Sequence, residues 1–254
     1  MNATDTPVLV VITYLRAAAQ GRELDFAIAG WRKHFRHRNY KIIIVGENLP
    51  KIDGNDVVLI ESKRVPQPVM QYWGHVDYVS CLRKVHKVFP ESKGFILVAD
   101  DCYAVHDFSL AEVQMLKYLP GGIDYDPFSS NGWRRDKMKT KRLLESMGLP
   151  ARNFTTHLPI WYEWGMIESL WDRFGMDHQS FVIEDLYHNI YFPVAPAIAI
   201  DEDDAWKCGV FSDRVTFQRL HRATAEKVWI TNDPNGYCPT LERFLGQYYG
   251  ITTN

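Results

Sequence analysis

Four short runs of apolar, mostly β-branched residues constrain this chain most: Val8 to Tyr14, Tyr40 to Gly46, Val57 to Ile60 and Gly94 to Ala99. An unbroken apolar run suits a strand covered on both faces, as in a parallel sheet, rather than a strand with one wet side. The connections agree with this. Leu24, Ile28, Trp31 and Phe35 recur at three- and four-residue steps after the first run, which is the period of an amphipathic helix. Val76, Val79, Leu82, Val85 and Phe89 do the same before the fourth, opposite Arg83, Lys84 and Lys87, with Pro66 and Pro68 breaking the chain ahead of them and Pro90 behind. Strands alternating with helices predict an α/β fold with a mostly parallel central sheet flanked by helices, whose ligands sit outside the carboxyl ends of the strands. Asp100 and Asp101 follow the fourth run at once and therefore stand at such an end.

The second half reads as more helical and less regular. Ser109 and Glu112 fit a capping box before a short helix ending near Pro120, and a Gly, Asp and Pro-rich loop then runs to Trp133. Helices are predicted over about 135–147, 163–174 and 181–191, followed by a tail punctuated by Pro and Gly. No linker or repeat divides the 254 residues, so a single domain is expected.

Composition narrows the function classes. With 46% hydrophobic and 24% charged residues the chain can bury a core unaided, which excludes disordered, collagen-like and coiled-coil readings. A net charge of −2 provides no global field for nucleic acid or anionic membrane, so any anion site must be local. Cys81, Cys102, Cys208 and Cys238 form no C-x-x-C pair, which argues against a zinc ribbon or a disulfide framework. The opening segment lacks a basic leader and no run approaches the roughly 18 apolar residues of a membrane span, so a cytoplasmic protein is expected. There is no G-x-x-x-x-G-K-[ST] loop and no G-x-G-x-x-G after the first strand, which argues against a P-loop kinase and a Rossmann dehydrogenase.

Several residues can carry chemistry. Adjacent carboxylates such as Asp100 and Asp101 are hard oxygen ligands for Mg²⁺ or Mn²⁺, metals that bridge a nucleotide diphosphate; their bland alternative is a loop or helix cap. Thr13, Tyr14 and Arg16 leave the first strand where the sheet opens, suited to base stacking and phosphate contact or to a plain strand exit. Arg83 can reach a diphosphate or form an exposed basic face. His157, stiffened by Pro159, can ligate metal, contact phosphate, accept a proton or simply hold a loop. Glu163, Glu184 and Asp185 compete as the base for an acceptor hydroxyl, against the alternative of helix-surface charge. Residues 133–142 hold six cations in ten positions, suited to covering a leaving diphosphate, docking an anionic acceptor or forming a solvated face.

The segment Ala99-Asp100-Asp101-Cys102-Tyr103 resembles the Asp-x-Asp motif of nucleotide-sugar-dependent glycosyltransferases of the GT-A fold, with Ala99 at the first acid, and the N-D-D-x-F pattern of Stealth-type sugar-phosphate transferases. Thr156-His157-Leu158-Pro159 is similar to a T-H-x-P segment of Stealth-like and bacterial or phage relatives, and Leu186-Tyr187-His188-Asn189 to their Leu-Tyr-x-Asn helix. The resemblance covers about residues 8–200. It implies a GT-A-like fold with a nucleotide-binding half (1–125) and an acceptor and lid half (126–254). It also implies that Asp101, more than Asp100, holds the metal. The implied activity is Mn²⁺- or Mg²⁺-dependent transfer of a sugar from a nucleotide sugar to a glycan, another hydroxyl acceptor or phage DNA. A Stealth-like sugar-phosphate transferase and a non-catalytic carbohydrate-binding protein of degenerate GT-A fold are the alternatives.

Overall fold

A computed structural model describes residues 6–66, 74–126 and 128–252. In chain order the elements are β1 (Val8–Leu15), α1 (Glu23–His34), β2 (Tyr40–Glu47), β3 (Val57–Glu61), α2 (Gly74–Val88), β4 (Gly94–Val98), β5 (Cys102–Ala104), α3 (Leu110–Gln114) and β6 (Lys117–Tyr118). Then come α4 (Gly132–Ser146), β7 (Ile160–Glu163), α5 (Trp164–Arg173), α6 (Ile183–Tyr191), β8 (Ile198–Ala199), β9 (Lys207–Val210), α7 (Phe217–Glu226), β10 (Trp229–Asn232) and α8 (Pro239–Tyr249). Pro68 and Pro127 lie outside the described residues.

The apolar runs form the central sheet in the order β3-β2-β1-β4-β7. The contacts β1/β2, β2/β3 and β1/β4 are parallel, and β7 joins the edge antiparallel to β4. Side chains alternate between two buried cores, which is why these runs could not alternate in polarity. Val10, Ile12, Ile42, Ile44, Ile96 and Val98 point to one core, with α1 and its Trp31. Leu9, Val11, Ile43, Val45, Phe95 and Leu97 point to the other, with Val79, Leu82 and Val85 of α2 and with α5 and α6. The chain leaves β1 toward β2 on one side and returns to β4 on the other, so the carboxyl ends of β1 and β4 flank the crevice at which open α/β sheets bind ligands.

Beyond residue 200 the structure is more regular than the sequence pattern indicates. The expected tail is α7, β10 and α8, and its punctuation is the helix capping itself: Thr216 accepts from the Arg219 amide, Pro239 opens α8, and Gly250 ends it at φ +69°. β10 pairs with β5 and β9 in a second, three-stranded sheet beside the first core. Ser109 does form the capping box, but α3 stops at Gln114, where β6 and its pairing with β8 take over. No described helix is long and apolar enough to cross a membrane.

Candidate functional site

The crevice holds two adjoining cavities. The first, about 350 Å³, is lined by Thr13, Tyr14, Gly46, Ser62, Asp77 and Asp100 among others, all from the first hundred residues. Gly46 is required there, because a Cβ at that position would lie 1.8 Å from the Tyr14 carbonyl oxygen. The second, about 510 Å³, is lined by Ala99, Trp133, His157, Glu184 and Asp233 among others, and Thr13 and Tyr78 belong to both walls.

Three acids crowd the floor between β1, β4 and β10. Burial raises the Asp101 carboxyl to about 8, with Asp100 and Glu23 adding repulsion, and raises Asp100 to about 7, with Glu23 adding to it. Glu23 is also pushed up by burial, against the hydrogen bond that Asn232 Nδ2 donates to its Oε1 at 2.8 Å. Asp101 Oδ1 is buried with no hydrogen-bond partner, a costly state for a carboxylate. Among the described residues no three His, Cys, Asp or Glu side chains group to hold a metal ion. Asp100, in the wall of the first cavity, and Asp101, whose Oδ1 has no partner, are the carboxylates here that could contribute to a hard divalent-cation site, with a ligand's oxygens completing the shell.

Glu23, Asn232 and Asp233 were not singled out in the sequence. Asn232 donates its backbone N–H to the Asp101 carbonyl at 3.1 Å and accepts from the Tyr103 hydroxyl at 2.6 Å, so the end of β10 is fastened to the acidic turn. The available signal was Asn232-Asp233-Pro234 after the apolar Val228 to Ile230, the same strand-then-acid pattern as at Asp100.

Tyr14 lines the first cavity, its phenol pushed up by burial against the pull of the exposed Arg16. His157 lines the second in a left-handed backbone conformation, φ +55°, that a non-glycine residue adopts at a cost of order 1–3 kcal/mol. The buried Lys207 holds that turn by donating to the Thr156 carbonyl at 2.8 Å. Desolvation, and then Lys207, lower the pKa of His157, whose side chain keeps an exposed edge. Glu184, in the first turn of α6, lines the same cavity; its Oε2 is buried without a partner and burial raises its pKa.

Three candidates lie elsewhere. Asp185 is fully buried and both its oxygens are engaged, one by Lys137 Nζ and the other by the Phe154 amide at 2.7 Å. Arg83 binds Asp172 and Asp177 between α2 and α5 and lines neither cavity. Glu163 is exposed at the far end of β7, opposite Gly94, in a separate cavity with Gln114 and Trp161. Because β7 runs antiparallel, the chain from Ile160 to Glu163 descends β4 by about 10 Å at 3.3 Å per residue, away from the acidic turn.

No protein-family model matches the chain, and no curated protein matches it in sequence. Among solved structures, the apo structure of the WbbM bifunctional glycosyltransferase superposes with a TM-score of 0.53 at 11% identity, over 99% of this chain and 51% of that one. The chain thus spans about half the length of that protein, and the likeness is one of fold. A glycosyltransferase involved in the glycosylation of the major capsid of PBCV-1 is a more distant match, with a TM-score of 0.41 at 7% identity over 95% of this chain and 99% of that one.

Proposed function

We propose that the chain is a glycosyltransferase that takes a nucleotide sugar, with Mn²⁺ or Mg²⁺, and transfers the sugar to a hydroxyl acceptor. The observation that supports this best is the juxtaposition of two cavities at the β1/β4 crevice, with Asp100 in the wall of one, Ala99 in the wall of the other, and Asp101, which has a buried oxygen without a partner, next in the chain. The fold shared with a glycosyltransferase points the same way.

In this reading the nucleoside occupies the 350 Å³ cavity, with Tyr14, Thr13 and Asp100 at its wall, and Asp100 and Asp101 would hold the metal. A divalent cation so held stabilises the charge that builds on the leaving diphosphate. The sugar and acceptor occupy the 510 Å³ cavity. Glu184 takes the proton of the acceptor hydroxyl, that oxygen bonds to the anomeric carbon, and the bond from the anomeric carbon to the diphosphate oxygen breaks with its electron pair leaving on the nucleotide. A carboxylate raised by burial and free of hydrogen bonds at Oε2 is suited to that task. His157, on a backbone turn held by Lys207, is positioned to accept or donate a hydrogen bond to the bound sugar.

Calorimetric titration of UDP and GDP with and without Mn²⁺ tests the donor side. One of the two is expected to bind more tightly with the metal, and Asp101→Ala to abolish the difference. Equal affinity for wild type and variant would remove Asp101 from the metal site. Sugar binding that never depends on nucleotide would instead favour a plain carbohydrate-binding protein.

A further inference from the structure

The cations of the 133–142 run are largely spent on the protein itself. Lys137 is buried against Asp185 and Asn153. Arg135 donates to the Ser129 and Ser130 carbonyls, Lys139 donates to the Ser180 carbonyl and lies over the Phe181 ring, and Lys141 pairs with Glu145. Arg134 and Arg142 stay exposed, and no cation of the run lines the 510 Å³ cavity.

The 510 Å³ cavity has the opposite character. Its charged side chains are Glu184 and Asp233, and none of its described lining residues is Lys or Arg. His75, held at about 4 by burial, carries no positive charge at pH 7, and the pKa of His157 is lowered as well. Asp100 lines the adjoining cavity, and a nucleotide diphosphate bound there brings negative charge to its border. Trp133 and Tyr78 in the walls supply the apolar bodies with polar edges that suit sugar rings.

We propose that this cavity selects its acceptor by charge: it takes a neutral or amine-bearing saccharide and excludes uronates, phosphorylated sugars and nucleic acid. The inference rests on the glycosyl-transfer reading above and assigns the acceptor class within it. Like-charge juxtaposition is the usual physical means of rejecting a partner whose shape would otherwise fit.

Saturation-transfer NMR on the full chain at pH 7 tests it without knowledge of the donor. The probes are pools of neutral methyl glycosides, methyl glycosides of amino sugars, methyl uronides and a 12-nucleotide DNA strand, each with and without UDP or GDP plus Mn²⁺. The neutral and amino pools are expected to give saturation, and the uronides and DNA a signal about tenfold weaker or none, equivalent to about 1.4 kcal/mol of repulsion. Asp233→Asn is expected to raise uronide binding several-fold while neutral glycosides stay within about twofold. Raising NaCl to about 0.5 M screens the same repulsion and serves the same comparison if the variant does not fold. Uronides or DNA binding as well as neutral glycosides, or no glycoside binding at all, would overturn the inference. Glycoside binding with that charge preference but no binding of either nucleotide would leave it standing and overturn the donor reading instead.

Discussion

Lys137→Met is expected to be the most destabilising single substitution in the basic helix. Lys137 is fully buried; its ammonium reaches the carboxylate of Asp185, also fully buried, and the Asn153 side-chain oxygen at 2.6 Å. Methionine fills similar space but leaves the Asp185 charge uncompensated in the core, and breaking a buried pair in this way costs about 3–5 kcal/mol. At about 2–4 °C per kcal/mol for a chain of this size, the melting temperature should fall by roughly 6–20 °C. Lys137→Met/Asp185→Asn removes the stranded charge and keeps an oxygen for the Phe154 amide, so it should recover much of the loss. Urea denaturation of wild type, both single variants and the double variant gives the cycle. A cost below about 1 kcal/mol for Lys137→Met, or a double variant as unstable as the sum of the singles, would refute the claim that this pair is a coupled internal tie.

Three further outcomes are expected. Glu184→Gln should lower transfer by about 10²–10⁴-fold with nucleotide affinity kept, while Glu163→Gln stays within about twofold in a steady-state assay of nucleoside diphosphate release; the reverse pattern would return the base to β7. Asp101, with a folded pKa of about 8 against the ordinary 3.8, contributes stability that is fully present below pH 3.8 and lost as pH rises through about 8. The gap in urea stability between Asp101→Asn and the metal-free wild type should therefore move in favour of the variant between pH 4.5 and 8.5, and parallel pH curves would contradict the crowding of the acids. Residues 128–142 carry Trp133 and Asn131 to the cavity wall, so hydrogen exchange there should slow when nucleotide and Mn²⁺ are bound; unchanged exchange would count against closure over the donor.

The central sheet was legible because its physics is local. Leu9 to Ile12 and Ile42 to Val45 are buried on both faces, and that leaves a direct trace in the sequence as apolar runs. Asp100 and Asp101 were legible for the same reason, since the strand that ends in them fixes where they stand. What depends on distant pairing was not. Lys137 reads as one cation among six, and only the fold shows its partner 48 residues on. Glu163, Glu184 and Asp185 could not be told apart in the sequence, whereas in the fold an antiparallel strand carries Glu163 away and α6 brings Glu184 to the same wall as His157. Asn232 and Asp233 reach the acidic turn through β10 pairing with β5, about which the local pattern near residue 230 is silent.

The most direct test is a crystal structure of the chain with UDP or GDP and Mn²⁺. The expected result places the metal on Asp100 and Asp101, the base in the cavity walled by Thr13, Tyr14 and Gly46, and the diphosphate pointing toward His157 and Glu184. A nucleotide bound elsewhere on the molecule, or no nucleotide or metal bound at millimolar concentration, would contradict the assignment of this crevice as a glycosyltransferase site.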